Sequence, residues 1–210
     1  MRRLAIPVLV VLAIVVLAPV ASAEWFGDAY LGPAVTPSST LTFTAFGEEQ
    51  KQNLGGRSSP SFGLRFGRWL DNMQWPWLGV ALDVSYFRPA IDVQTVPISL
   101  LLMARYGLLK DQDFPMGRLQ PYVAVGPGFF ISNVSGTLGF QQADDTTRDI
   151  GLDVRLGAAY LIDGPWAAFT EYRFTHFSPS FDVKTFGGGT ASSSTTFNTH
   201  HVVLGISYRF

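Results

Sequence analysis

Between Val202 and Phe210 the chain alternates without a break. Val202, Leu204, Ile206, Tyr208 and Phe210 are apolar or aromatic, and Val203, Gly205, Ser207 and Arg209 stand between them. Successive side chains of a β-strand point to opposite faces, so such a run is a strand with one apolar face. The pattern recurs in Leu78, Val80, Leu82, Val84 and Tyr86, and again in Ile150, Leu152, Val154, Leu156 and Tyr160. The residues on the second face limit the fold most. Asp83, Asp153, Arg155 and Arg209 share it with glycine, alanine and serine. A soluble sandwich turns its polar faces to water. Charges set among small residues instead fit the inside of a narrow closed barrel whose apolar face meets lipid.

The N-terminus supplies an export route. Arg2 and Arg3 precede an apolar run from Leu4 to Val20, and Ala21-Ser22-Ala23 closes it with the small residues of a cleavage site. Residues 1–23 read as a signal peptide and residues 24–210 as one β-barrel domain. Pro7 and Pro19 interrupt the run, which argues against a retained anchor helix. No later stretch offers the ~20 apolar residues a spanning helix needs. Charged residues make up only 15% of the chain, against about 25% in soluble domains, so the surface is poor in charge. A net charge of −1 gives no basic field for nucleic acid. With no cysteine, thiol chemistry and disulfide scaffolds are excluded.

Alternation predicts eight antiparallel strands near 25–35, 60–70, 78–88, 96–106, 119–131, 149–161, 166–177 and 198–210. Short connections at 71–77 and 162–165 read as periplasmic turns, and longer ones at 36–59, 132–148 and 178–197 as external loops. Segment 107–118 is long for a periplasmic turn, and 89–95 is short for an external loop. The Gly/Ser/Thr-rich stretches at 51–60 and 187–197 read as mobile loop tips. Trp25, Trp69, Trp75, Trp77 and Trp166 all fall at the periplasmic strand ends, where an interfacial girdle of indoles is expected. In the final hairpin the expected register sets Glu171 opposite Arg209 and Arg173 opposite Ser207, and pairs Phe181–Phe186 with the residues after Ser193.

Parity turns Arg65, Arg105, Arg155, Arg173 and Arg209 inward, together with Asp83, Asp153 and Glu171. Such charges form a structural cross-lumen network, since buried charges must be paired. The alternative is a narrow pore whose two surplus cations prefer anions. His176 and Ser178 share a strand face and form the one catalytic-looking cluster, without a carboxylate on the last strand to orient the histidine. His200 and His201 are adjacent, so they point to opposite faces and cannot share a metal. No metal or other cofactor is implied.

Several stretches resemble the outer-membrane β-barrel domain family of OmpA/OmpX-like small eight-stranded barrels. They are Val96-Pro97-Ile98-Ser99-Leu100, the run from Gly117 to Val123, Glu171-Tyr172-Arg173-Phe174-Thr175, and the terminal Gly205 to Phe210. The resemblance implies an outer-membrane location, and that Tyr208 and Phe210 form the signal read by the insertion machinery. His176-Phe177-Ser178 is also similar to the His-x-Ser of barrel-type lipid A deacylases, although Pro179 stands where those enzymes carry asparagine. The leading expectation is a monomeric structural and surface-interaction protein. It would contact outer-membrane lipids and lipopolysaccharide and offer loops 36–59, 132–148 and 178–197 to a surface partner. A narrow channel or hydrophobic-solute conduit is the alternative, and a lipid A-modifying hydrolase the second.

Overall fold

The computed structural model describes residues 24–45, 48–70, 75–138, 141–184 and 190–210; the signal-peptide reading of residues 1–23 lies outside the described residues. Twelve strands follow in order: β1 (Trp25–Thr36), β2 (Ser39–Ala45), β3 (Glu48–Leu54), β4 (Arg57–Leu70), β5 (Trp75–Ala90), β6 (Val93–Arg105), β7 (Leu119–Leu138), β8 (Gln141–Asp163), β9 (Trp166–Phe177), β10 (Ser180–Lys184), β11 (Thr190–Thr195) and β12 (Phe197–Arg209). Eight of them close into an antiparallel barrel in the order β1-β12-β9-β8-β7-β6-β5-β4. The chain ends meet where the barrel closes, with the backbone amide and carbonyl of Trp25 exchanging hydrogen bonds with Phe210.

The faces follow the alternation. Leu204, Ile206, Leu64, Leu156 and Ile150 lie on the outside, while Asp83, Asp153 and Val203 are fully buried within. The strand register also fixes the slant of the barrel. From Trp25, paired neighbours run through Arg68, Val80, Leu102, Val125, Val154, Phe174 and His200 to Val35. One circuit thus returns to β1 ten residues nearer the outer surface than it began. For eight strands this stagger corresponds to a tilt of about 40° and an interior just wide enough for side chains to fill.

Three expectations are corrected. The segments 36–59 and 178–197 are not plain loops: they hold β2 and β3, and β10 and β11, which form a separate four-stranded sheet in the order β10-β11-β2-β3. Segment 132–148 is likewise a continuation of β7 and β8, paired as far as Leu138 and Gln141. Serine, threonine and glutamine carry no apolar alternation once a hairpin stands in water. The ladder's backbone bonds still form, and the sequence signal for them disappears.

The final hairpin register is also different. Glu171 pairs with Val203 and Arg173 with His201, six residues from the expected alignment. The aromatic ends decide the register. Tyr208 pairs with Trp166, and their rings meet edge to face at 4.8 Å, so the same interface holds both. An even slip leaves every face unchanged, so alternation alone could not detect it. The same alignment pairs Phe181 with Ser193 and Val183 with Ala191, not with the residues after Ser193.

Trp69 is the third correction. It is 4% exposed, lies inside the barrel and stacks on Phe26 at 5.6 Å. It shares the inward parity of Arg65, and Arg105 sits 4.2 Å above its ring. Trp75, Trp77 and Trp166 are half exposed on the outside at the periplasmic end. There Trp25 stacks on Phe66, and Tyr208 packs on Phe210.

The two anomalous connections are explained. Residues 89–95 contain a tight turn at Ile91 and Asp92, and the barrel strands run up to it on both sides. Residues 106–118 form a tied loop. Asp111 accepts a 2.7 Å bond from the Phe114 amide and a 3.1 Å bond from Arg118, whose guanidinium lies over the Phe114 ring. The Phe114 amide, with Arg118 behind it, holds the Asp111 carboxyl below its ordinary value. Gly117 takes a φ of +96° to close this loop, a conformation that suits glycine.

Candidate functional site

The inside of the barrel is built in layers. At mid-height lies an alternating chain of charges drawn from five strands. Asp28 on β1 accepts a 2.6 Å bond from Arg65 on β4, and Arg65 reaches Glu171 on β9, also at 2.6 Å. Glu171 contacts Arg155 on β8 at 3.3 Å, and the Tyr122 hydroxyl donates to it at 2.7 Å. Arg155 then grips two carboxylates. It reaches Asp83 at 2.8 and 2.9 Å and Asp153 at 2.8 and 3.0 Å. Arg173 closes the cluster, 2.7 Å from Asp153 and donating to Ser85 at 2.7 Å. Ser99 donates to Asp153 and Tyr30 to Asp83.

Local sequence makes room for this. Gly63 faces Tyr30 across β1 and β4, and a Cβ there would strike the Tyr30 hydroxyl. The glycine therefore lets the phenol lie flat towards Asp83. Every ion of the mid-height cluster is 6% exposed or less. At ~3–5 kcal/mol for an uncompensated buried charge, such a cluster is tolerable only because each member is paired.

At the periplasmic mouth lies a second charge group. Glu24 pairs with Arg105 at 2.6 Å and with Arg209 at 2.7 Å, and both arginines also donate to Gln120. Burial pushes the Glu24 carboxyl up, but the two guanidiniums outweigh it and hold the group below its ordinary value. Arg209 thus finds its carboxylate at the start of β1, not at Glu171.

Above the ions sits an aromatic layer. Phe87, Phe130, Phe177 and Phe197 are at most 1% exposed, and Phe130 stacks on Phe177 at 4.3 Å. His201 separates the two layers. It is fully buried, edge-on to Phe87 at 4.7 Å, with Ser61 and Thr175 at its two ring nitrogens.

All eight expected lumen residues (Arg65, Asp83, Arg105, Asp153, Arg155, Glu171, Arg173 and Arg209) point inward and join one of these two groups. Sequence reasoning missed Asp28 and Glu24. With them the mid-height cluster and the periplasmic mouth hold, among the described residues, five guanidiniums against five carboxylates, so the two surplus cations that suggested an anion-preferring pore are matched there. The parity of β1, with Phe26, Asp28 and Tyr30 on one face, carried the signal for Asp28.

His176 and Ser178 both lie exposed on the outer face but do not meet in a hydrogen bond. His176 bonds Asn198 at 2.7 Å, and the Ser178 hydroxyl bonds Thr196 at 2.9 Å. Asp149 contacts the backbone amide of Ser178, not the histidine. His200 faces outward to Tyr172 while His201 faces inward. Among the described residues, no group of three or more histidine, aspartate or glutamate side chains is placed to hold a metal.

The model of the outer membrane protein β-barrel domain matches residues 8–210. The chain belongs to this family. Two solved structures show the same fold for the outer-membrane barrel described above. The crystal structure of Neisserial surface protein A aligns with a TM-score of 0.58 at 14% identity, covering 90% of this chain and 99% of that one. The outer membrane protein OprG from Pseudomonas aeruginosa aligns with a TM-score of 0.56 at 12% identity, covering 90% and 96%. No curated protein matches the chain in sequence.

Proposed function

We propose that this outer-membrane barrel is a non-conducting structural protein that contributes to envelope integrity and displays its outer hairpins to a surface partner. One observation carries the reading: the lumen is occupied at two successive heights. Arg155 and Arg173, braced by three carboxylates, cross the middle, and four phenylalanines cross above them, all at most 1% exposed. An ion entering from either mouth would have to displace paired charges from their partners, at a cost of several kcal/mol. A hydrophobic solute would in turn have to cross the charged layer. Hydrolysis at His176 and Ser178 is disfavoured on the same geometric grounds. The Ser178 hydroxyl bonds Thr196 and makes no hydrogen bond to the His176 ring, so no base stands ready to take its proton.

The outer hairpins supply the display surface. The four-stranded sheet β10-β11-β2-β3 stands beyond the barrel, joined to it by the short links after β1 and β9. Planar-bilayer recording of the refolded protein tests the closed lumen. The expected record is a flat baseline at moderate voltage, and stable nanosiemens-scale steps would overturn the proposal.

A further inference from the structure

The outside of the barrel is not uniformly covered by large side chains. Two rows of outward residues run side by side across β12, β1, β4 and β5. The upper row is Leu204, Leu31, Phe62 and Tyr86, and the lower is Ile206, Ala29, Leu64 and Val84, each residue paired with the next along its row. Ala29 leaves the lower row low between Leu64 and Ile206. The rows flank an apolar groove of about 900 Å³ that continues to Val96 on β6. It crosses five strands, so it is roughly 19 Å long at the usual strand spacing. Because the register climbs ten residues per circuit, the groove slants upward from Ile206 to its outer end at Tyr86.

A cation stands at that outer end. Arg88 is the next outward residue on β5. Its Nε donates to the Tyr86 hydroxyl at 2.6 Å, and its guanidinium lies 5.9 Å from the Tyr86 ring centre. Tyr86 also reaches Gln94, and the Arg88 amide is held by the Ser59 hydroxyl. Arg88 is exposed, and among the described residues no carboxylate pairs with it. On β5 it ends an apolar band that runs from Leu78 through Val84. A guanidinium placed where the hydrocarbon ends, without a protein anion, is suited to a phosphate of the outer leaflet.

We propose that this groove and Arg88 form a binding site for one phosphorylated outer-leaflet lipid. Arg88 and the Tyr86 hydroxyl hold a headgroup phosphate, and one acyl chain lies between the two apolar rows down to Ala29 and Ile206. The site is independent of whether the lumen conducts. The charge fixes the class of occupant. A second copy of the chain would bring another uncompensated Arg88 to a two-fold contact, whereas a phospholipid-like anion neutralises it.

Native mass spectrometry of the folded protein in detergent, titrated with hexa-acylated diphosphoryl lipid A, tests the site. The wild type should retain one lipid. Arg88→Ala should weaken retention roughly five- to ten-fold, Arg88→Lys less, and the lipid stripped of its phosphates should bind the wild type as weakly as the intact lipid binds Arg88→Ala. Ala29→Phe, which fills the low point of the groove, should weaken binding without touching the headgroup. Retained resistance to unfolding by detergent certifies that each variant is an intact barrel. Unchanged binding by Arg88→Ala, indifference to the phosphates, indifference to Ala29→Phe, or full displacement by inorganic phosphate would each overturn the proposal. A lipid-free dimer abolished by Ala29→Phe would do the same.

Discussion

Arg155 is the residue on which the interior most depends. Its Nε and both Nη atoms are engaged, with bonds of 2.8 to 3.3 Å to Asp83, Asp153 and Glu171. Arg155→Met keeps an unbranched apolar stem and removes all of these. Arg65 and Arg173 then face four carboxylates, those of Asp28, Asp83, Asp153 and Glu171. Breaking a buried ion pair from one side costs ~3–5 kcal/mol, because the partner stays behind unpaired in a low-dielectric site. The expected loss is of that size. Arg155→Lys retains the charge but cannot fork onto two carboxylates, so it should lose about half as much. In the double variant Arg155→Met/Asp83→Asn one surplus anion is removed, and part of the loss should be recovered. Reversible urea unfolding in phospholipid vesicles, followed by tryptophan emission, gives all three free energies. A loss below ~1 kcal/mol for Arg155→Met, or a double variant less stable than the single, would refute the pairing argument.

Two further outcomes follow from the ends of the barrel. In single-tryptophan variants, brominated lipid chains should quench Trp166 strongly and leave Trp69 unaffected, since Trp69 is 4% exposed inside the lumen; equal quenching would contradict the corrected placement. The depressed Glu24 carboxyl adds stability that is fully present above its ordinary value of 4.5 and is lost as pH falls through its lower folded value. Glu24→Gln should therefore cost ~1–2 kcal/mol at pH 7, and its gap from the wild type should shrink towards pH 3. A gap of constant width would show that Arg105 and Arg209 do not discriminate the ionised carboxylate.

The barrel was legible in the sequence because its membrane band imposes two requirements at once. Residues such as Leu204 and Ile206 must be apolar, and residues such as Asp83 and Arg155 must point away from lipid. Period-two alternation encodes both, and it placed all eight expected charges inside. It carries no information about slips by an even number of residues, which is why Glu171 was set opposite Arg209 when its strand partner is Val203. The register is read from the aromatic ends, where Trp166 and Tyr208 seek the same interface. Above the membrane neither requirement applies, so β2, β3, β10 and β11 have the composition of loops. Trp69 was misplaced for the opposite reason: its residue type suggested an interface, while its parity with Arg65 already set it inside.

The charge chain also bears on how the barrel can assemble. Asp28 comes from β1, Arg65 from β4, Asp83 from β5, Asp153 and Arg155 from β8, and Glu171 and Arg173 from β9, so even the formally neutral hairpins β4–β5 and β8–β9 take partners from outside: Arg65 bonds Asp28 and Glu171, and Arg155 bonds Asp83. A hairpin entering hydrocarbon alone would turn these charges to lipid without their partners from the other hairpins, at ~2–4 kcal/mol per basic side chain near the midplane. Such exposures add to the unpaired backbone along the hairpin's two edges and raise the barrier to its entering lipid alone. The bilayer therefore disfavours partial structures, and insertion is favoured when it accompanies closure. The network that fills the finished lumen acts during biogenesis as a proofreading device: it favours the one arrangement in which the first strand has found the last.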